Sequence, residues 1–244
     1  MQNVPNAAYR AYGQTDRGLV RANNDDSFYV SLAHGIFAVA DGLGGLPEGA
    51  LASRSAIEEL ETMVNQLPPG APLDLGVLFA AANERVRSEG TRVGAELGIG
   101  TTLTVAQLLP GEVLRIGHVG DSGVVAFGDD EVAKLTDDHT MASELLSRLH
   151  PDEHAYIPEY FEHTLTRCLG QNEPLSADVF EYRLVRGERF MLYTDGVPKV
   201  VGFAELRELT MKASKPETLV EELIVIGNER GGPDNLTAVA VFLS

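Results

Sequence analysis

Three aspartates share one setting, in which an apolar run ends and a glycine follows within two residues. They are Asp41, Asp121 and Asp195, and a fourth, Asp234, lies between a glycine-rich turn and the last apolar run. A buried carboxylate needs a proton, a cation or a metal ion as its partner. An aspartate followed by glycine is also typical of an ordinary turn, and spacing alone does not prove that the four side chains converge.

Convergence of these carboxylates would favour hard divalent cations. Several negative charges in one cleft repel one another, and Mg²⁺ or Mn²⁺ would relieve that repulsion because both ions prefer oxygen ligands. Gly42 directly follows Asp41 and has no side chain. Its carbonyl could therefore approach a metal ion as a further ligand.

The segment before the first predicted strand carries charges of both signs. Asp25 and Asp26 would extend the acidic cluster if they lie beside it. Arg21 has the planar guanidinium group that suits phosphate binding. Without the other motifs, this segment is more typical of an exposed, charged loop.

Composition disfavours several functions. The chain has 244 residues and a net charge of −17, whereas nucleic acids and anionic membranes require a positive surface. No apolar run reaches the roughly 18 to 20 residues that span a bilayer. Residues 1–12 lack the basic and apolar stretches of a secretory signal, and the single cysteine, Cys168, excludes an internal disulfide. We therefore expect a cytoplasmic protein without membrane insertion.

Hydrophobic periodicity predicts strands and helices in separate blocks. The predicted strands are residues 27–32, 35–40, 101–109, 112–119, 123–127, 131–135, 178–184, 189–193 and 237–243. The predicted helices are residues 49–66, 74–96, 141–149, 203–213 and 216–229, and residues 150–176 are irregular. Because the two types do not alternate strictly, the order favours an α+β layered domain with largely antiparallel sheets.

Short motifs in a fixed order cover nearly the whole chain. They are residues 15–18 (TDRG), 21–28 (RANNDDSF), 39–45 (VADGLGG), 100–102 (GTT), 118–122 (HVGDS), 135–140 (LTDDHT), 165–170 (LTRCLG), 194–196 (TDG) and 232–237 (GPDNLT). Together they resemble the metal-dependent serine/threonine protein phosphatases, the PPM or type 2C family, in its compact bacterial form. Any one motif is weak, but the whole set in order is a specific signal.

The resemblance implies a fold and a domain organisation. The fold is a four-layer α-β-β-α sandwich, in which two mainly antiparallel sheets are flanked by helix pairs. One catalytic domain would span residues 1–244, with a variable flap beside the cleft at about residues 141–177.

The resemblance also implies the metal site. Asp41 would bridge two Mn²⁺ or Mg²⁺ ions, with the carbonyl of Gly42 on one of them. Asp195 and Asp234 would complete the other site. Asp121, together with Asp195, would hold a third ion.

Three further residues receive roles from the same resemblance. Asp25 and Asp26 would bind metal directly or through water, and Arg21 matches the phosphate-binding arginine. Asp25 stands where many members have glutamate, and its shorter side chain favours a contact through water. Leu43 stands where animal members have a histidine that is thought to be a general acid. The proton donor to the leaving group is therefore unassigned.

The activity implied is hydrolysis of phosphoserine and phosphothreonine in proteins. A hydroxide bridging two divalent metals would attack the phosphorus, and the metals would neutralise charge on the phosphoryl oxygens. The partners would be phosphorylated proteins and a cognate serine/threonine kinase or its targets in bacterial signalling. No nucleic-acid partner is expected.

Two alternatives remain at this point. Residues 120–123 (GDSG) resemble the nucleophile segment of trypsin-like serine proteases, with Ser122 as nucleophile, although the accompanying histidine and cysteine motifs are missing. A pseudophosphatase with the same fold, acting as a phosphoprotein-binding regulatory module, is the non-enzymatic alternative. The complete set of aspartates argues against it.

Overall fold

A computed structural model describes residues 9–43, 48–128, 131–149, 156–172, 175–185 and 187–243. Gly44 and Gly45 of the third motif lie outside the described residues. So do residues 150–155 and 173–174 of the segment expected to form the flap, and residues 1–8.

Ten strands and six α-helices make up the described part of the chain. The strands are β1 (Tyr9–Asp16), β2 (Asp26–Ser31), β3 (Ile36–Asp41), β4 (Leu103–Leu109), β5 (Val113–Val119), β6 (Gly123–Phe127), β7 (Val132–Lys134), β8 (Asp178–Arg183), β9 (Arg189–Tyr193) and β10 (Leu236–Leu243). The helices are α1 (Gly49–Val64), α2 (Leu75–Arg92), α3 (Met141–Arg148), α4 (Gly196–Val200), α5 (Phe203–Lys212) and α6 (Pro216–Glu229), and a 3-10 helix covers Glu159–His163.

The strands form two five-stranded sheets in which every pairing is antiparallel. One sheet has the order β1-β10-β9-β6-β7 and the other has the order β2-β3-β4-β5-β8. Because neighbouring strands run in opposite directions, the end of one strand lies beside the start of the next. Asp41, the last residue of β3, is thus paired with Asp26, the first residue of β2.

Three apolar layers hold the sandwich together. A central layer lies between the sheets and contains side chains such as Phe37 and Phe190. An outer layer packs α1 and α2 against the sheet that contains β3, and a second packs α5 and α6 against the sheet that contains β10. The order of layers is helix, sheet, sheet, helix, which confirms the α+β four-layer prediction.

Strand β1 and helix α4 were not predicted from the sequence, and the 3-10 helix lies in a segment predicted to be irregular. Strand β1 carries polar and charged residues along with its aromatics, and its regular structure comes from pairing with β10 along its whole length. Helix α4 has only five residues and contains Pro198 at its third position, so its periodicity is too short to detect. None of the described helices is both long and apolar enough to cross a bilayer.

A buried histidine pair joins β5 to the segment before α3. The ring of His118 is fully buried, with Nδ1 2.9 Å from the Thr104 hydroxyl and Nε2 donating to the Asp137 carbonyl at 3.1 Å. The His139 ring lies 4.6 Å away between ring centroids. Burial, with the neighbouring His139, lowers the pKa of His118 to about 3. His118 is thus a neutral structural residue.

His118 should make the protein sensitive to mild acid. The unfolded chain protonates this imidazole below pH 6.5, whereas the folded chain does so only near pH 3, so folding stability is lost as the pH falls through that window. Between pH 7 and pH 5 we expect His118 to remove about 2 kcal/mol of unfolding free energy. Urea unfolding of wild type and His118→Gln at both pH values measures this, since the variant lacks only this titration. Equal pH dependence in the two proteins would contradict the assignment.

Candidate active site

The ends of the central strands open into a cleft of about 320 Å³. Aspartates from both sheets line it, together with two cationic side chains and two residues from the segment near the 3-10 helix. The lining residues are Arg21, Asp25, Asp41, Gly42, Leu43, Asp121, His163, Leu165, Asp195, Lys199, Asp234 and Asn235. The four aspartates singled out by their setting in the sequence therefore converge.

Asp26 lies beneath the cleft and is only 7% exposed. Its Oδ2 accepts hydrogen bonds from the hydroxyls of Thr194 (2.7 Å) and Thr237 (2.6 Å), which come from the other sheet. Its Oδ1 is buried and has no hydrogen-bond partner among the described residues. Burial raises the pKa of Asp26 to about 7, and nearby Asp195 adds to the rise while the two hydroxyls oppose it.

Asp41 is fastened through its backbone, which leaves its carboxylate to the cleft. Its amide donates to the Thr102 hydroxyl at 2.9 Å, and its carbonyl accepts from the Thr102 amide at 2.9 Å and the Thr101 hydroxyl at 2.8 Å. Burial holds the pKa of the Asp41 carboxyl well above its usual range, and the negative charges of Asp26 and Asp195 raise it further. The ionised form of this carboxylate therefore favours a cation as its partner.

Asp121 extends the cluster from a turn that connects the two sheets. It lies in the turn between β5 and β6, next to Gly120, whose amide donates to His139 Nδ1 at 3.1 Å. Burial raises the pKa of Asp121 to about 7, and the charge of Asp195 adds to this rise. His139 thus helps to anchor the turn that carries Asp121.

Asp195 and Asp234 differ from the other aspartates because cations already contact them. Lys199 Nζ lies 2.5 Å from Asp195 Oδ2 and 2.7 Å from Asp234 Oδ2. Arg21 contacts Asp234 with two nitrogens, Nε at 2.8 Å and Nη2 at 2.9 Å. Burial alone would raise the pKa of Asp234, but the contacts with Lys199 and Arg21 lower it below its usual value.

Glycines allow the backbone to close around the aspartates at two points. A Cβ atom on Gly42 would lie 2.2 Å from the carbonyl oxygen of Gly49, and one on Gly196 would lie 1.9 Å from that of Asn235. Both distances are impossible for a larger residue, so these positions require glycine. The Gly42 amide donates to the carbonyl of Asp25 at 3.0 Å, which brings Asp25 to the rim of the cleft.

Asp25 lines the cleft and also forms hydrogen bonds that hold neighbouring segments in place. Its Oδ1 accepts from the Ala50 amide at 3.1 Å, in the first turn of α1. Its own amide donates to Asn235 Oδ1 at 2.8 Å, and the Asn235 side chain also donates to the carbonyls of Arg17 and Asn23. Asn235 therefore ties the segment before β2 to the start of β10.

No imidazole stands at position 43, where Leu43 lines the cleft and approaches Gly100. His163, from the 3-10 helix, does line the cleft, and Leu165 lies beside it. His118 and His139 lie in the buried pair and are not among the lining residues. Of His118, His139 and His163, the structure thus brings only His163 to the cleft.

The serine-protease alternative does not fit the structure. Ser122 is fully buried, and its hydroxyl lies 2.7 Å from the hydroxyl of Thr102. A nucleophile must reach its substrate, and its hydroxyl must contact a base. Ser122 has the surroundings of a structural residue.

The donors at this cleft suit a hard divalent cation. All of the acidic ligand candidates offer oxygen, and the Asp26 Oδ1 has no hydrogen-bond partner among the described residues. Burial and the neighbouring carboxylates hold the pKa of Asp41 well above its usual range. Within the described ranges, no three acidic, histidine or cysteine side chains are already arranged as a complete metal site. Lys199 lies between two of the expected ligands, Asp195 and Asp234.

Two residues at the site were not singled out from the sequence, Lys199 and Asn235. Lys199 follows Asp195 by four positions, which is the spacing of an ion pair within one helical turn. That signal required α4 to be recognised as a helix. Asn235 lies inside a matched motif, but its three hydrogen bonds join segments more than 200 residues apart in the chain.

The family model for protein phosphatase 2C matches residues 19–237. Serine/threonine protein phosphatase PstP of Mycobacterium tuberculosis is 32% identical over 240 residues, covering 94% of this chain and 44% of that protein. Protein phosphatase PhpP of Streptococcus pneumoniae is 29% identical over 243 residues, covering 94% of this chain and 96% of that protein. The chain thus spans less than half of the mycobacterial relative.

The structure is similar to that of the catalytic domain of PstP in complex with two manganese ions. The TM-score is 0.78 at 31% sequence identity, and the match covers 97% of this chain and 99% of that one. The likeness therefore extends over both sheets and the helices that flank them.

Asp41→Asn should stabilise the protein in the absence of metal. The change removes one negative charge from the unpaired carboxylate opposite Asp26, where like charges repel. We expect a gain of about 1 kcal/mol in unfolding free energy, measured by urea unfolding in the presence of a chelator. Asp137→Asn, at an exposed position away from the cleft, should change stability by less than about 0.5 kcal/mol. A less stable Asp41→Asn variant would show that repulsion does not govern this site.

Proposed function

The chain belongs to the protein phosphatase 2C family, and on this premise we propose that it hydrolyses phosphoserine and phosphothreonine in proteins with the help of divalent metal ions. The observation that carries the proposal is the convergence of Asp41, Asp121, Asp195 and Asp234 at one end of the sandwich. Four carboxylates in one cleft repel the dianionic phosphate of a substrate unless cations neutralise them. A phosphatase site of this kind therefore needs its metals.

The core site would hold two Mn²⁺ or Mg²⁺ ions. We assign Asp41 as the ligand shared between them, the Gly42 carbonyl to one ion, and Asp195 and Asp234 to the other. When bound, the ions would supply Lewis acidity, which activates water for attack and neutralises charge on the phosphoryl oxygens. Support comes from the oxygen-only donors and from the manganese complex of the PstP catalytic domain.

The remaining carboxylates would complete the ligand shell. Asp121 and Asp195 are the proposed ligands of a third ion. Asp25 lines the cleft while its Oδ1 accepts from a backbone amide, which favours contact with metal through water. Asp26 lies below the cleft with one oxygen that has no hydrogen-bond partner among the described residues, and it would bind metal directly or through water.

The chain's own residues would then position the phosphate and the leaving group. Arg21 lines the cleft with a side chain that is 45% exposed, and it is the proposed phosphate ligand. Leu43 also lines the cleft, but its side chain has no acidic proton and cannot protonate the leaving group. Residues 141–177 are the proposed flap, and the parts of it that border the cleft include His163 and Leu165.

The proposed partners are phosphorylated proteins and a cognate serine/threonine kinase or its targets. The net charge of −17 argues against a nucleic-acid partner. We propose that the reaction takes place in the cytoplasm. The pseudophosphatase alternative is not favoured, because every aspartate expected as a ligand is present at the cleft or directly beneath it.

Purified protein supplied with Mn²⁺ should hydrolyse p-nitrophenyl phosphate and a phosphothreonine peptide. Asp41→Ala and Asp195→Ala should each lower kcat/KM by about a thousandfold or more, since each removes a proposed metal ligand. Circular dichroism should show the folds intact. Absence of activity in metal-loaded wild type would refute the proposed function, whereas near wild-type turnover in either variant would refute only the site assignment.

Arg21→Ala should chiefly raise KM, by about tenfold, because the phosphate loses a charged, bidentate partner. Arg21 also contacts Asp234, so the assay should use saturating Mn²⁺ to separate phosphate binding from metal binding. Arg21→Lys is the matched control and should give an intermediate KM, since it keeps the charge but not the planar fork. An unchanged KM in Arg21→Ala would show that Arg21 is not a phosphate ligand.

A further inference from the structure

Lys199 occupies the space between two carboxylates of the cleft. It lies at the fourth position of α4, and its side chain reaches back over the start of that helix, as helical side chains do. Its ammonium group lies 2.5 Å from Asp195 Oδ2 and 2.7 Å from Asp234 Oδ2. The side chain is 29% exposed, so this double ion pair is largely sheltered from solvent.

The oxygens of Asp234 are fully engaged by donors. Oδ1 accepts from Arg21 Nε at 2.8 Å and from the Asn235 amide at 2.9 Å. Oδ2 accepts from Lys199 at 2.7 Å and from Arg21 Nη2 at 2.9 Å. A divalent cation on Asp234 would therefore meet a positive charge already in contact with the same oxygen, and the two cations would repel each other strongly.

We infer that Lys199 is a built-in competitor of the metal ion at Asp195 and Asp234, whose ammonium group must leave these carboxylates when the ion binds. The inference rests on the proposed function, which assigns both aspartates as metal ligands. It goes further by identifying the Lys199 ammonium group as the counter-ion of both carboxylates when no metal is bound. Metal affinity is then the balance between binding the ion and losing the Lys199 contacts.

The side chain of Lys199 is suited to such an exchange. Lysine carries its charge as a compact ammonium group on a flexible stem. Unlike the planar guanidinium group of arginine, it does not bind a carboxylate through two parallel hydrogen bonds of fixed geometry. Lys199 also borders a neighbouring cleft of about 520 Å³, which Asp121 and Asp138 line. The displaced ammonium group thus has other carboxylates within the same surface region.

The inference changes the expected charge balance of the site. Lys199 and Arg21 balance two of the charges on the six aspartates proposed as ligands. Two divalent ions would neutralise the other four. Because the displaced ammonium group stays in the same surface region, its movement does not change this sum.

Titration of Mn²⁺ into metal-free protein by isothermal calorimetry tests the inference without measuring activity. Lys199→Met removes the ammonium group and keeps much of the apolar stem, and we expect its dissociation constant for Mn²⁺ to fall by about tenfold. Lys199→Arg keeps a cation and should stay within about threefold of wild type. The shift of Tm on addition of Mn²⁺ should likewise be larger for Lys199→Met than for wild type.

Lys134→Met is the matched control for charge. Lys134 borders the neighbouring cleft and contacts Asp138 at 2.6 Å, but it contacts neither Asp195 nor Asp234. Its Mn²⁺ affinity should remain within about twofold of wild type, because removal of a more distant charge is screened by salt.

Three results would overturn the inference. Unchanged or weaker Mn²⁺ binding by Lys199→Met, alongside clear binding by wild type, would refute the competition and leave the proposed function standing. Equal gains in Lys199→Met and Lys134→Met would assign the effect to overall charge. No Mn²⁺ binding by wild type would remove the proposed function and the inference together. If Lys199→Met does not fold, the same Mn²⁺ titration is made with Lys199→Gln, a second neutral variant for which the same expectation holds.

Discussion

Repulsion among carboxylates is the constraint on which the functional end of this protein depends. Asp26 and Asp41 lie directly opposite each other on neighbouring strands, and Asp121, Asp195 and Asp234 approach from three further strand ends. Such an arrangement is unfavourable in isolation, since burial and like charges both penalise the ionised forms. The fold tolerates it because hydroxyl groups and cations satisfy some of the oxygens, although Asp26 Oδ1 has no hydrogen-bond partner among the described residues.

The sandwich can carry this unfavourable site because its interior is apolar in three separate layers. Side chains between the sheets and beneath both helix pairs are almost completely buried, and the burial of apolar surface is the main source of folding free energy. The aspartates are confined to one end of the sheets, where the layers open to solvent. The stabilising apolar contacts thus lie in the body of the domain, and the destabilising repulsion among aspartates lies at its edge.

Much of the fold was predictable from local patterns. The apolar strands and the long helices have strong periodicity, so the predictions agree with the structure to within a few residues, as for α6 (Pro216–Glu229). Strand β1 was missed because its stability comes from β10, over 200 residues later in the chain. Helix α4 was missed because five residues with an internal proline hold too little pattern. The site aspartates were found because a charged residue at the end of an apolar strand is unusual, whatever the fold.

By itself, the sequence determined the types of secondary structure, the α+β class and the identity of the acidic residues. Only the tertiary structure decided that these residues converge, and that Asp26 lies beneath the cleft while Asp25 lies at its rim. It also decided the place of Lys199, whose ammonium group contacts both Asp195, four residues earlier, and Asp234, 35 residues later. Periodicity and composition are local properties of the chain. Electrostatic contact depends on distances in space, which exist only once antiparallel strands have brought their ends together.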